Sequence, residues 1–331
     1  MTALAADGMG AMGSGGMGGG PQVVDAHSIL TGWAVGPFAV AAAVVTIAVA
    51  VWYLRAVRRR TARATDVAEA HPTRSHLLRP WPAARIVSFL AGLAVIDIAI
   101  GSSVATLSDS HFTAHILQHL CLMMIAPPLL ALGAPMTLLL QTSSRPTKRR
   151  LLAALHSPVF AVITHPVPVF FAYYASMFAF FLSPALGYAM DHMWLMDIWN
   201  IFFFAGATLF WWPMVGTDPV PRWNMSPGFK LLNLMIGVPF ESFLAIALLM
   251  KADPAAAMYS LSSTHTGAGT LWALSELFTV AAIAPIFVQW TKADARAAKR
   301  IDARIDAGES MAPPPTVGHG LAATMKSLRR G

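Results

Sequence analysis

The fold is decided by the stretch His111-Phe-Thr-Ala-His115-Ile-Leu-Gln-His119-Leu-Cys-Leu-Met123-Met-Ile-Ala-Pro-Pro-Leu-Leu-Ala-Leu-Gly-Ala-Pro135. Three histidines and Met123 recur in it at intervals of four residues, and on an α-helix that spacing places side chains along one stripe. The stretch continues into apolar sequence, where an unpaired imidazole is costly. The spacing therefore predicts a single partner or cavity shared by His111, His115, His119 and Met123.

The composition around this stretch is that of a membrane protein. The chain has 331 residues, of which 56% are hydrophobic and 12% charged, and its mean hydropathy is +0.58. A soluble domain carries about 25% charged residues. The net charge of +7 does not indicate a nucleic-acid partner, because the basic residues lie between apolar stretches. The single cysteine, Cys121, excludes an internal disulfide and a multi-cysteine metal site.

Apolar stretches of about 20 residues, enough to cross a hydrocarbon layer of about 30 Å, recur along the chain. We predict an all-α integral membrane protein with a bundle of seven transmembrane helices, at 31–54, 84–106, 114–140, 159–182, 194–214, 229–250 and 270–290. Prolines in the third and fourth spans predict kinks or local unwinding. His165, which precedes Pro166, is predicted to be structural.

The basic residues indicate an orientation. Of the 23 lysines and arginines, all but Lys251 fall on alternate connections between the spans or in the tail after the last span. Basic connections face the cytoplasm, so the N-terminus is predicted outside and the C-terminus inside.

The two ends of the chain are predicted to differ from the membrane domain at 29–292. Residues 1–28 form a Gly/Met-rich segment predicted to be disordered and extracytoplasmic. No lysine or arginine precedes Arg55, so we expect no cleaved leader. Residues 293–331 are predicted to form a cytoplasmic helical extension, ending near Gly308, and a disordered tail.

Ionisable side chains concentrate in the predicted outer half of the bundle, where each costs several kcal/mol unless paired and so indicates a site. Because lipid offers no partner, we expect four of them to face one another: Asp97, His119, Glu241 and Glu276. Two alternatives remain open. The histidines can be satisfied polar groups at the membrane interface, and the glutamates can pair with serine or backbone groups to fix helix packing.

The types of side chain favour copper. Imidazole binds copper, zinc, iron and nickel, whereas a thioether selects Cu(I). The sequence therefore predicts a copper site, with Cu(I) favoured. The ligands predicted for it are His111, His115, His119 and Met123. The candidates for additional ligands or their hydrogen-bond partners are Asp97, His192, Asp197, Glu241 and Glu276.

Three motifs carry a resemblance to a known family. They are His115-x3-His119-x7-Pro127-Pro128-Leu-Leu-Ala-Leu-Gly-Ala-Pro135, Leu209-Phe-Trp-Trp-Pro213 and Gly216-x-Asp218-Pro219-x-Pro221. Over residues 84–290 the sequence resembles the polytopic CtaG family of cytochrome c oxidase assembly proteins. The resemblance implies a non-enzymatic, multi-pass protein of the plasma (inner) membrane that acts on haem–copper oxidase subunits through copper at its extracytoplasmic face.

The resemblance covers His115 and His119 but weakens further along the chain. The family pattern has a histidine near Trp199 and Asn200 and another near Glu241, and this sequence has neither. The resemblance thus implies a mixed site of histidine, carboxylate and methionine.

Two other functions are compatible with a polar membrane bundle. A cation- or proton-coupled secondary transporter would use the carboxylates of Asp97, Glu241 and Glu276, although the sequence shows no internal repeat of the kind many transporters have. A haem protein of the cytochrome b type needs histidine pairs at matched depth on facing spans, whereas the histidines within spans here lie at opposite ends of spans three and four. The sequence does not indicate an oligomeric state.

Overall fold

The structure, a computed structural model, describes residues 32–33, 36–70, 80–218 and 225–306, and within these ranges every regular element is helical. The predictions for residues 1–28 and for the end of the tail lie outside these ranges. In chain order the described helices are α1 (Pro37–Ala70), α2 (Ala83–Gly101), α3 (Ser103–Ser108), α4 (Phe112–Leu120), a π-helical turn (Cys121–Ile125), α5 (Ala126–Leu132), α6 (Pro135–Thr142), α7 (Arg145–Leu155), α8 (Pro158–Ile163), α9 (Pro166–Leu182), α10 (Ala185–Met190), α11 (Met193–Val215), α12 (Pro227–Leu249) and α13 (Leu261–Asp306).

Six helical segments of the described chain are long and apolar enough to cross a membrane. They are Pro37–Thr65, Ala83–Gly101, Phe112–Thr142, Met193–Val215, Pro227–Leu249 and Leu261–Ala303. The fourth predicted span, 159–182, is divided into α8 and α9, and α9 is a shorter apolar helix of 17 residues. The chain is therefore an all-helical, multi-pass membrane protein, and the count of seven spans stays a prediction.

Proline explains where the predicted spans break. In the fourth span, the main-chain N–H of Val167 donates to Nδ1 of His165, so His165 caps α9 and has the structural role predicted for it. In the third, the π-helical turn precedes Pro127 and Pro128, and Ala134 adopts a left-handed conformation with a φ of 52° before Pro135. The predicted local unwinding of this span is confirmed.

A tryptophan compensates for the first of these prolines. Pro127 has no N–H to give to the carbonyl of Met123, four residues earlier. The indole Nε1 of Trp211 on α11 donates to that carbonyl at 2.8 Å, and Trp211 is buried. The Phe-Trp-Trp-Pro motif thus satisfies a backbone group that the Pro-Pro motif leaves free.

A second pair of motifs meets at the start of α6. Its N-cap residue, Ala134, has no side chain that can accept a hydrogen bond, so the first N–H groups of the helix need a partner from elsewhere. The carboxylate of Asp218 accepts from the N–H groups of Met136 and Thr137, at 3.0 and 2.7 Å, and from the Thr137 hydroxyl. Asp218 is buried, and it links the end of the third span to the segment after α11.

The apolar core has two parts. The larger joins α4, α9, α11, α12 and α13, and many of its side chains are aromatic. The smaller joins α1, α2 and α5, where the rings of Tyr53 and Phe89 stack at 4.0 Å. Tyr53 also donates to the carbonyl of Gly133 at 2.7 Å, which fixes the chain just before its left-handed residue.

The last helix contains its predicted span of 270–290 and the predicted helical extension after residue 292, and it begins earlier than predicted. α13 has 46 residues, begins at Leu261 and continues through the charged sequence to Asp306. Its first turns pack against α4, the helix that carries His115 and His119.

Replacing Asp218 with Ala tests the link between the motifs. The change leaves N–H groups of Met136 and Thr137 without an acceptor, and we expect the free energy of unfolding to fall by about 1–3 kcal/mol. Thermal unfolding in mild detergent measures it. The matched control is Asp253→Ala, an exposed loop carboxylate, for which we expect a change within about 0.5 kcal/mol. Equal unfolding temperatures for the two variants would show that other contacts hold the start of α6.

Candidate functional site

His115 and His119 form a buried pair on α4. Their Nε2 atoms lie 3.0 Å apart and their ring centroids 4.6 Å apart. The exposed fractions are 1% for His115 and 3% for His119. At this distance one ring donates its N–H and the other accepts, so the pair partly satisfies itself inside the bundle.

Two polar atoms near this pair have no partner among the described residues. Nδ1 of His119 and Oδ1 of Asn200 are both fully buried and make no hydrogen bond. The two residues belong to helices that meet at the pair, because His119 packs edge-on against Phe203, with ring centroids 5.2 Å apart, and Phe203 is one turn from Asn200 on α11. An unsatisfied buried polar group costs about 1–3 kcal/mol, so it marks a place that a ligand, ion or water can stabilise.

Aromatic rings enclose the histidines. Their centroids lie between 5.2 and 6.3 Å from those of the imidazoles, and they belong to Phe112, Phe180, Phe181, Phe203 and Tyr259. Phe180 and Phe181 come from the end of α9, so a third helix closes the site. Such a shell keeps water from the imidazole nitrogens and strengthens electrostatic interactions within it.

Tyr259 links this shell to a methionine. It lies in the connection between α12 and α13, donates from its hydroxyl to the carbonyl of Ser108 at 2.7 Å, and contacts the sulfur of Met190 at 3.5 Å. Burial and the charge of Asp109 raise the pKa of Tyr259, so its hydroxyl remains a proton donor. Tyr259 thus contacts the thioether of Met190 through its hydroxyl and the imidazole of His115 through its ring.

The first turns of α13 fix the start of α4. Ser263 accepts a hydrogen bond from the N–H of Phe112 at 2.9 Å. Four residues later, Gly267 packs so closely that a Cβ there would lie 2.6 Å from Cδ1 of Phe112 and 3.2 Å from its carbonyl carbon. The absence of a side chain at Gly267 therefore sets the approach of the helix that carries the histidines.

The predicted stripe of four side chains is shorter in the structure. His111 is exposed, has extended backbone dihedrals as the N-cap residue of α4, and contacts the hydroxyl of Ser110 at 2.9 Å. His111 therefore does not belong to the buried part of the predicted stripe, because the helix begins one residue later. Met123 is buried but belongs to the π-helical turn, where the α-helical spacing no longer holds. The buried stripe consists of His115 and His119.

The carboxylates do not join the histidines. In the described part of the chain, no group of three or more His, Cys, Asp or Glu side chains could hold a metal ion. Asp97 accepts from the Thr46 hydroxyl at 2.8 and 3.0 Å, and Glu276 accepts from the Trp272 indole and the Ser242 hydroxyl. The four residues predicted to converge do not form one group in the described chain, since Asp97 pairs with Thr46 and His119 with His115, whereas Glu241 and Glu276 lie near each other.

Glu241 is the most buried of these carboxylates, with an exposed fraction of 4%. Its Oε1 accepts from the Tyr174 hydroxyl at 3.2 Å, while Oε2 has no hydrogen bond among the described residues. Gly237, one turn earlier, leaves the room that this hydroxyl needs, because a Cβ there would overlap it. The pair joins α9 to α12.

The other two candidates lie near the start of α11. His192 is its N-cap residue, is half-buried, and bonds through Nδ1 to the carbonyl of Tyr188 at 2.9 Å. Asp197 is also half-buried, one turn inside the helix. Neither belongs to a described group that could hold a metal ion.

Sequence reasoning missed the shell around the histidines. Phe180 and Phe181 lie in an apolar stretch where aromatic residues commonly face the core or the lipid, and nothing in the sequence around Tyr259 marks it. Asn200 has a usable signal, since it is an amide in a largely apolar span. Its polar group needs a partner inside the protein.

Comparison with known proteins yields one family and several relatives. The model of the family described as cytochrome c oxidase caa3 assembly factor (Caa3_CtaG) matches residues 51–293. Proteins described as uncharacterized in Mycobacterium bovis and Mycobacterium tuberculosis are each 31% identical over 244 residues, and one in Mycobacterium leprae is 30% identical over 245. These alignments cover 68% of this chain but 37% of each relative, so the chain spans well under half their length. No solved structure matches.

Adding a methyl group at Gly267 tests how tightly α13 holds the site. Gly→Ala in a helix stabilises by about 0.5–1 kcal/mol when there is room, while overpacking costs about 1–3 kcal/mol. Gly269, on the same helix, is the matched control, because a Cβ there would have no atom within 4 Å. We expect Gly267→Ala to unfold at a lower temperature than wild type and Gly269→Ala at an equal or higher one. If both variants gain stability, Phe112 is free to move away from α13.

Proposed function

Because the chain belongs to the cytochrome c oxidase caa3 assembly factor family, we propose that it assists oxidase assembly by binding and handing over copper at His115 and His119. Family membership supports the assembly role. The observation that carries the copper proposal is the buried pair of imidazoles, with Nε2 atoms 3.0 Å apart and Nδ1 of His119 unpartnered.

The residues fit a copper ion. Metal–imidazole bonds are about 2.0–2.1 Å long in comparable zinc sites, so two nitrogens 3.0 Å apart can both reach one ion placed beside them. Imidazoles that bind metals generally donate their other N–H to a protein acceptor. The amide oxygen of Asn200 is an unpaired acceptor on the helix that contacts His119, although it does not bond to the imidazole in this structure.

The donor set favours Cu(I) over zinc. Structural zinc is held by four ligands, and the described residues contain no group of three His, Cys, Asp or Glu side chains that could hold an ion. Cu(I) accepts thioether sulfur, and two buried methionines are candidates to supply it: Met123, four residues after His119 in the sequence, and Met190, in contact with Tyr259. Copper would supply only its own binding chemistry here, and the protein contributes two imidazoles, soft sulfur and a dry shell.

A site with few ligands suits transfer. An ion held by two imidazoles and a thioether can be passed to a partner by replacing one ligand at a time, whereas a closed four-ligand site retains its ion. The partners in this proposal are haem–copper oxidase subunits. The role is not enzymatic, since binding and release require no bond-making in a substrate.

The proposal also includes the orientation of the chain in the membrane. We place the chain in the plasma membrane with seven spans, its N-terminus outside and its C-terminus in the cytoplasm. The alternation of basic connections supports this orientation, which puts His115 towards the outer face.

A transporter receives less support from the geometry. Coupled transport through carboxylates would require them to line one route. Asp97 and Glu241 instead pair with hydroxyls on different helices, Thr46 and Tyr174.

Substitutions at His119 separate metal binding from hydrogen bonding. We expect His119→Asn to lower the copper content of the purified protein to about a tenth of wild type or less, because an amide is a poor Cu(I) ligand. His119→Met should keep part of it, since a thioether binds Cu(I). Elemental analysis after loading with Cu(I), together with oxidase activity of the membranes, provides the measurement.

His111→Asn is the matched control, since His111 is exposed and lies outside the buried pair. It should keep copper content and oxidase activity near wild type. Wild-type copper content in His119→Asn would refute the copper proposal and leave the pair a structural feature. Loss of oxidase activity without loss of copper would refute the link between the two.

Reporter fusions test the orientation. We expect fusions at residue 20, in the 107–113 connection and in the 251–260 connection to report an outside location, and fusions at 145–155 and at the C-terminus to report the cytoplasm, because basic connections stay inside. A C-terminal tag accessible from outside would overturn the orientation while leaving the copper measurement unaffected.

A further inference from the structure

Several arginines follow the apolar part of α1, and they differ in their hydrogen-bond partners. Nε of Arg60 donates to Oε1 of Gln141 at 2.7 Å, and Arg63 donates to the carbonyl of Thr142. These two side chains therefore tie α1 to the end of α6. Within the described part of the chain, Arg55 and Arg59 make no hydrogen bond or ion pair, and both are exposed.

Arg55 and Arg59 line a cavity between α1 and the end of α6. Its volume is about 400 Å3, within the range of about 300–1,000 Å3 that small-molecule sites occupy. Its walls include Ala48, Val51, Trp52, Arg55, Arg59 and Thr142. Both arginines thus face a space large enough for a ligand.

The cavity changes from apolar to charged along the helix. Ala48 and Val51 belong to the apolar part of α1, Trp52 follows, and Arg55 and Arg59 come next on the same face. At 1.5 Å per residue, the distance from Ala48 to Arg59 is roughly 16 Å. An apolar wall, a tryptophan and then guanidinium groups match the order of acyl chain, interface and headgroup in a membrane.

We propose that this cavity binds one anionic phospholipid, with its phosphate held by Arg55 and Arg59 and an acyl chain against Ala48 and Val51. Guanidinium groups bind phosphate oxygens through paired N–H donors. Like charges four residues apart on a helix repel each other, and a bound anion relieves that repulsion. The headgroup of a zwitterionic lipid also carries an ammonium group, so it relieves the repulsion between Arg55 and Arg59 less. The proposal goes beyond the copper function and does not depend on it.

Native mass spectrometry of the full chain in a nonionic detergent tests the proposal. The probes are dioleoyl phosphatidylglycerol and dioleoyl phosphatidylcholine, which share their acyl chains, and glycerol 3-phosphate, which lacks them. We expect one phosphatidylglycerol to bind at least about tenfold more tightly than phosphatidylcholine, and Arg55→Gln with Arg59→Gln to remove that preference. Glycerol 3-phosphate should not compete at equal concentration.

A charge-matched control uses two exposed basic residues that do not line the cavity. Arg58→Gln with Arg149→Gln removes the same charge and should leave the preference unchanged. An equal loss in this control would overturn the site in favour of general surface charge. Equal binding of phosphatidylcholine would overturn the choice of an anionic lipid, and full competition by glycerol 3-phosphate would show that the site binds phosphate rather than lipid.

A conservative variant covers the case in which the double glutamine variant does not fold. Arg55→Lys with Arg59→Lys keeps both charges but loses the paired donors of guanidinium. We expect it to fold and to bind phosphatidylglycerol with a preference between those of wild type and background. A preference as strong as that of wild type would refute phosphate binding by the paired donors.

Discussion

A polar group inside the hydrocarbon layer can form hydrogen bonds only with the protein, and this constraint explains several long-range hydrogen bonds between helices. The indole of Trp211 donates to the carbonyl that Pro127 leaves free, and the carboxylate of Asp218 accepts from the first N–H groups of α6. Asp97 accepts a hydrogen bond from the hydroxyl of Thr46, and Glu241 accepts one from the hydroxyl of Tyr174. Each of these bonds joins residues that are distant in sequence, so together they order the bundle.

The constraint also shows why much of the fold could be predicted. Span length and proline position act locally: a helix in lipid must be long enough to cross, and a proline must interrupt it. The breaks at Pro127, Pro135 and Pro166 follow from that chemistry. The pairing of His115 with His119 was equally accessible, because residues four apart on a helix face the same way.

The choice of partners across helices could not be predicted. A buried carboxylate must be satisfied, but whether a hydroxyl or another charged group satisfies it depends on which helices touch and at what depth. The sequence therefore indicated that Asp97 and Glu241 have partners, and not that the partners are Thr46 and Tyr174. The aromatic shell could not be predicted for the same reason, since Phe180 and Tyr259 contact the histidines only through tertiary packing.

The length of α13 has a mechanical consequence. At 1.5 Å per residue its 46 residues measure roughly 69 Å, more than twice the thickness of the hydrocarbon layer. One end packs against the histidine-bearing helix at Gly267, and the other consists of charged, exposed sequence. Pro285 lies inside this helix and removes one main-chain hydrogen bond, so the half that packs against α4 joins the charged half at a point where a helix commonly bends. A bend there changes the direction of the charged half without moving Gly267 against α4.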